Sequence, residues 1–304
     1  MSGEALAINA RGQIAGYQCC HFFLPGVGVP FAVMWDNGSV IELPSPPPPP
    51  ATFAYDINNR GQIVGALGDR LVLLWENGTA TEIAPPPGAT VAAGHGINER
   101  GQIVGAGSTG PGSSGFQAML WDNGTMVALG VLPGDSQSQA LAINNSGQIV
   151  GWGQNSTTQL QRAFLWEKGN MSELPGLAGQ NTQALAINER GQVVGYSGQL
   201  PVMWEKGTRI ALETLPPLTS GRALGINNSG QIVGFLQSPG SSSRVPVLWD
   251  NGKAMALPML PPVPGSSNDY VATDINNSGT IVGSHQVAGF LRPLVWVRNA
   301  QSGN

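Results

Sequence analysis

The sequence predicts an all-β fold, a seven-bladed β-propeller of four-stranded antiparallel blades with an incomplete last blade, on three observations. First, the motif Ile-Asn-x-x-Gly-x-Ile/Val-x-Gly occurs seven times, with its Ile at Ile8, Ile57, Ile97, Ile143, Ile187, Ile226 and Ile275. Second, each copy is followed by a Trp, at Trp35, Trp75, Trp121, Trp166, Trp204, Trp249 and Trp296. The copies lie 49, 40, 46, 44, 39 and 49 residues apart, and a strand-built repeat of about 40–50 residues is the signature of propeller blades. Third, only 11% of residues are charged, 41% are hydrophobic, and Gly and Pro are abundant, a composition that suits short strands joined by tight turns.

The fourth copy shows each element in order. Ala140–Asn144 is short and apolar and reads as strand a. Asn145-Ser146-Gly147 is a turn, with Gly free to take positive φ and Asn able to bond the backbone. Gln148–Trp152 is strand b, a polar loop follows, and Ala163–Trp166 is strand c. Glu167-Lys168-Gly169 is a second tight turn before strand d, Met171–Leu174. The repeats span 5–43, 54–83, 94–129, 140–174, 184–213, 223–257 and 272–298, within one propeller domain over 1–304 and a tail at 299–304. Seven copies argue against a six-bladed ring with a surplus unit.

Strand a carries small residues four and two positions before the motif Asn: Ala5 and Ala7, Ala140 and Ala142, Ala184 and Ala186, for example. Strand side chains alternate, so these share one face. Blades converge at the axis, which places strand a innermost. The short a–b and c–d turns then share one end of the propeller, and the long, variable d–a and b–c loops share the other.

Asn9, Asn58, Asn98, Asn144, Asn188, Asn227 and Asn276 open the same tight turn in every copy. A ligand site is unique, whereas a turn is needed in each blade, so these Asn read as turn chemistry. The spacing lacks the carboxylates of a calcium loop. Sequons such as Asn144-Asn145-Ser146 and Asn123-Gly124-Thr125 are by-products of turn composition. The seven Trp pack between blades, and their acidic neighbours, such as Asp36 and Glu76, read as exposed turn residues.

The net charge is -4 and Lys occurs only at Lys168, Lys206 and Lys253, so no basic stripe is available for nucleic acid. No apolar run reaches the ~20 residues of a spanning helix, and the first repeat begins right after Met1-Ser2-Gly3-Glu4, so no signal peptide is expected within this sequence, as in a mature secreted form or a cytoplasmic protein. Cys19 and Cys20 are adjacent and form no long-range framework; disulfides between neighbours are rare, so thiols are expected. Pro46–Pro50 and Pro85–Pro87 suggest stiff polyproline II connections. There is no phosphate-cradling Gly loop, Cys-x-x-Cys pair or Gly-x-Ser-x-Gly elbow, and no cofactor is expected.

Ala-x-x-Ile-Asn-x-x-Gly-x-Ile-Val-Gly, then x-Ala-Phe-Leu-Trp, then Asn-Gly, resembles the HAF repeat of extracellular bacterial proteins. Ala140–Gly151 and Arg162–Trp166 match best, and the resemblance runs from Ala5 to Trp296. It departs at the tripeptide itself: Phe31, Leu71, Gln117, Arg162, Leu200, Val245 and Arg292 stand where the family has His. The resemblance implies a secreted, extracellular bacterial setting and supplies no activity.

Function, if displayed, belongs on the long-loop end. Tyr17, Trp152, Tyr196 and Phe235 follow the strand-b Gly there, and the first b–c loop, Gln18–Pro30, adds His21, Phe22 and Phe23. Such aromatic planes can stack on sugars or grip a peptide. The expected function is therefore a non-enzymatic binding scaffold for a glycan or protein, with no nucleic-acid partner and no membrane insertion. An alternative is a propeller lyase or hydrolase. Asp56 and Asp274 intrude into strand a, and the His residues (His21, His95, His285) fall in neighbouring blades. Asp56, Asp274, His95 and His285 could then act at the channel mouth. A third reading is an assembly protein pairing through the last blade, where Trp296 is followed by no clear strand d.

Overall fold

The computed structural model describes residues 2–24, 27–46, 51–68, 71–84, 92–108, 115–261 and 269–297, with backbone only at 20–24, 27 and 92. The tail, Pro85–Pro87 and Pro46–Pro50 beyond Pro46 lie outside the described residues.

Seven antiparallel sheets, each ordered a-b-c-d along the chain, make a β-propeller; the last has three strands among the described residues. In blade four the strands are Asp135–Ile143, Ile149–Asn155, Gln161–Glu167 and Asn170–Glu173. All but the last are longer than the apolar pattern alone implies, because polar residues such as Gln137 and Gln154 continue the ladder. The c–d turns close with two consecutive positive-φ residues, for example Lys168 (50°) and Gly169 (86°). That is the geometry a two-residue hairpin needs.

The first b–c connection differs from expectation. Strands b and c of blade one run Ile14–Leu24 and Val27–Asp36, with His21 opposite Val29 and Phe22 opposite Gly28. The segment read as a loop is thus mostly an extended hairpin. The b–c connections of blades five and seven are two-residue hairpins, so loops at this end are less uniformly long than the sequence suggested. Cys19 is disulfide-bonded, and the chain's other cysteine is Cys20, which corrects the expectation of two thiols.

The core is a series of clusters between neighbouring blades. Val150, Ala163 and Leu174 of blade four meet Ala184, Val193, Val202 and Trp204 of blade five. Four Trp also donate an indole N–H to the d–a connection of the preceding blade: Trp75 to Pro44, Trp204 to Pro175, Trp249 to Glu213 and Trp296 to Pro258, at 2.7–2.9 Å.

Each motif Asn is buried. Its Oδ1 accepts the backbone N–H groups two and four residues on, as in Asn144 with Ser146 and Gln148 at 3.1 and 3.0 Å. Its Nδ2 donates to the carbonyl of the Asn in the next blade. The series Asn9, Asn58, Asn98, Asn144, Asn188, Asn227, Asn276 returns to Asn9, with every link 3.0–3.2 Å. The side chain that shapes the turn therefore also ties the ring. The acidic residues after Trp are not simply exposed: Asp36, Glu76, Asp122, Glu205 and Asp250 each accept from the motif Gln at 2.9–3.0 Å.

No described strand passes from one end of the chain into the other end's blade. The seam between blades seven and one is joined by side chains instead. Thr273 Oγ1 donates to the Ala5 carbonyl at 2.7 Å, and the Leu291 N–H donates to Ser2 Oγ at 2.9 Å. Val282 packs with Ala5, Ile8 and Ile14.

Candidate functional site

Strand a lines the axis, but its side chains do not simply alternate. Each strand a carries a bulge between the positions four and two before Asn, as between Ala140 and Ala142. A bulge leaves one residue unpaired and re-aims it. The residues so placed are Leu6, Tyr55, His95, Leu141, Leu185, Leu224 and Thr273, and all seven line the axial cavity of about 210 Å³. The expectation that the inner surface is only the small-residue face is corrected accordingly. A sequence signal for this exists: the strand-b Gly stands opposite the bulge, where a Cβ at Gly151 would overlap the Gln139 carbonyl oxygen, and a mid-strand Gly marks close backbone approach.

Asp56, Asp274 and His95 share that cavity. Asp56 Oδ1 accepts from its neighbour Ile57 and Oδ2 from Ile97 of blade three, both at 2.8 Å. Asp274 does the same with Ile275 at 2.8 Å and Ile8 of blade one at 2.9 Å. Burial raises the Asp56 carboxyl to about 7, with the Asp274 charge adding to it against the lowering by Ile97 N–H. Burial raises Asp274 to about 6 and pushes the His95 imidazole down to about 4. The amide of Gln139 contacts His95 Nε2, and Tyr55 lies against the ring, centroids 5.5 Å apart.

His285 is not part of this group. It is buried in blade seven, stacked on Tyr270 with centroids 3.9 Å apart. The structure thus brings together three of the four sequence-predicted acid–base residues. Among the described residues no group of three or more His, Cys, Asp or Glu could hold a metal ion.

The predicted aromatic ligands separate. Trp152 lines a cavity of about 300 Å³ over blades two to four, with Tyr55, His95, Phe116, Gln137 and Gln139. Tyr17 donates to Glu4 Oε2 at 3.0 Å and meets Phe53 edge-on, and Phe53 stacks on Tyr55. Tyr196 is buried beneath the Arg222 guanidinium, 4.2 Å from its ring centroid. Phe235 sits under Arg244 in a larger cavity of about 690 Å³. His21, Phe22 and Phe23 hold strand positions, and their side chains lie outside the described residues. Phe116, 44% exposed, was not singled out in sequence because it stands alone after a Gly/Ser stretch with no periodicity.

No family model matches the chain, and no curated protein does. Solved structures do. The β-propeller domain of the Trilobed protease from Pyrococcus furiosus, described as having an open velcro topology, covers 98% of this chain and 97% of its own, with 10% identity and a TM-score of 0.57. The chain is a seven-bladed β-propeller. An acylaminoacyl peptidase from Pyrococcus horikoshii gives 10% identity and a TM-score of 0.60 over 97% of this chain and 52% of its own. A puromycin-hydrolyzing peptidase from Mycobacterium tuberculosis gives 12% and 0.59 over 99% and 53%. The chain spans about half the length of these two peptidases. At such identity the likeness is one of fold. It nevertheless corrects the expectation of a non-enzymatic scaffold, because the propellers it resembles belong mostly to peptidases. No helix among the described residues is long and apolar enough to cross a membrane.

Proposed function

We propose that the protein is a hydrolase-related propeller that handles peptide substrate in its axial cavity. The observation that carries this reading is that one cavity is lined by Asp56, Asp274 and His95 together, with burial displacing the carboxyls upward and the imidazole downward. Near neutral pH His95 is a neutral imidazole available as a base, while Asp56, raised to about 7, keeps its proton on half the molecules. Titratable groups displaced in opposite directions within one cleft are the arrangement that acid–base chemistry uses. Substrate would take the place of Gln139 at His95 Nε2, with Asp56 and Asp274 as the acidic groups of the wall. The peptidase propellers of the same architecture support peptide as the substrate class.

The residues that resemble the HAF repeat support an extracellular bacterial setting, and the disulfide at Cys19 fits an oxidising compartment. The test is direct. The purified protein is incubated with peptides of mixed sequence, and new termini are counted by mass spectrometry for the wild type and His95→Ala. Cleavage that falls at least tenfold in His95→Ala is expected. No cleavage by the wild type, or equal cleavage by the variant, contradicts the reading.

A further inference from the structure

We infer that the cavity over blades two to four is a side-chain pocket for an uncharged aromatic residue of the peptide, an assignment that rests on the hydrolase reading. Its wall is formed by Tyr55, His95, Phe116 and Trp152 around small residues such as Ala66 and Ala106, and among the described residues no Asp, Glu, Lys or Arg lines it. A charged side chain entering it would lose hydration with no opposite charge among these lining residues to meet. His95 does not supply one, since burial keeps its imidazole neutral above about pH 4.

Several of its polar groups are already engaged. Ser138 Oγ donates to the Gly130 carbonyl at 2.6 Å and accepts the Ala118 N–H at 2.9 Å. The Gln137 amide donates to Gln154 Oε1, and Gln139 contacts His95. A sugar, which needs many hydrogen bonds from its site, finds few here, whereas an aromatic ring needs faces and edges to pack on, and three aromatic side chains and an imidazole provide them. The volume, about 300 Å³, is at the small end for ligand pockets and suits one ring rather than an extended chain.

The pocket is also in the right place. Tyr55 and His95 line both it and the axial cavity. An aromatic side chain seated between Phe116 and Trp152 would therefore set its own backbone beside the His95 imidazole.

The experiment is binding, read by saturation-transfer NMR and calorimetry, with N-acetyl-phenylalaninamide, N-acetyl-lysinamide, N-acetyl-aspartamide and methyl glucoside as probes. Saturable binding of the phenylalanine amide alone is expected, weakened at least tenfold in Phe116→Ala and in Trp152→Ala. Phe116 is largely exposed, so its variant keeps the blade core. No binding of the aromatic amide, tighter binding of the sugar or a charged amide, or unchanged binding in both variants overturns the assignment. Aromatic binding with no cleavage of any peptide upholds the pocket and removes the hydrolase reading instead.

Discussion

Asn276 Nδ2 donates to the backbone carbonyl of Asn9 at 3.1 Å, joining the last blade to the first across 267 positions of the chain. The other six links of this ring join blades that the chain already connects. This one has no covalent counterpart, and with it Asp274 and Thr273 carry the seam.

Asn276→Ala removes that link together with the bonds Oδ1 accepts from the Ser278 and Thr280 N–H groups and the Ser278 hydroxyl. At about 0.5–1.5 kcal/mol for each of these bonds, a loss of about 2–6 kcal/mol is expected. Urea unfolding measures it, and a loss below about 0.5 kcal/mol, within the range of an ordinary surface change, would refute the seam's importance.

A second ring lies just outside the first. From the second blade to the seventh, the side chain of the residue after the motif Asn accepts the backbone N–H of its counterpart in the preceding blade: Asn59 from Ala10, Glu99 from Asn59, Asn145 from Glu99, and on to Asn277 from Asn228. Position 10 is Ala and has no side-chain acceptor to offer Asn277. Ala10 is exposed, so Ala10→Asn sacrifices no packing and should complete the ring. A gain of about 0.5–1.5 kcal/mol is expected, seen as a raised melting temperature. An unchanged or lowered one would show that the position cannot accept.

Asp56 and Asp274 make stability depend on pH. Each carboxyl is raised from an ordinary 3.8, to about 7 and about 6, so each binds its proton more tightly folded than unfolded. Their contribution is full below about pH 4 and is lost as pH rises through 6 and 7. Between pH 5 and 8 these two groups should lower stability by an amount on the order of a few kcal/mol. The double variant Asp56→Asn/Asp274→Asn should flatten that slope in chemical denaturation. An equally steep slope in the variant would place its origin elsewhere.

Gly151→Ala would drive a Cβ into the Gln139 carbonyl oxygen. A destabilisation of about 1–3 kcal/mol, or more if the bulge is lost, is expected in thermal unfolding. A neutral result would mean that the bulge opens without penalty.

Much of the architecture is legible in the residues because it is local and repeated. Asn144 and Gly147 recur at one spacing and a Trp equivalent to Trp166 follows in every copy, and turn chemistry explains the first two without any tertiary knowledge. What is not legible depends on contacts 39–49 residues away, such as the donation from Asn188 to Asn227. The axial surface is a different case. Strict alternation puts Ala7 and Asp56 inward, whereas the bulge adds Leu6, Tyr55 and His95, and only the recurrent strand-b Gly hinted at it. Asp56 and His95 were readable as unusual residues of strand a. Their shared cavity was not, nor the separation of His285, because both depend on how far each blade turns about the axis. Phe116 carried no pattern at all.

The pH dependence of peptide cleavage tests the central claim most directly. A neutral His95 base and a protonated Asp56 acid coexist between about pH 4 and 7, so the rate should form a bell with its limbs at those values. Asp56→Asn should lower the plateau and remove the alkaline limb. A rate that climbs through neutral into alkaline pH, or a wild-type profile with no cleavage at any pH, would contradict the assignment of acid–base chemistry to this channel.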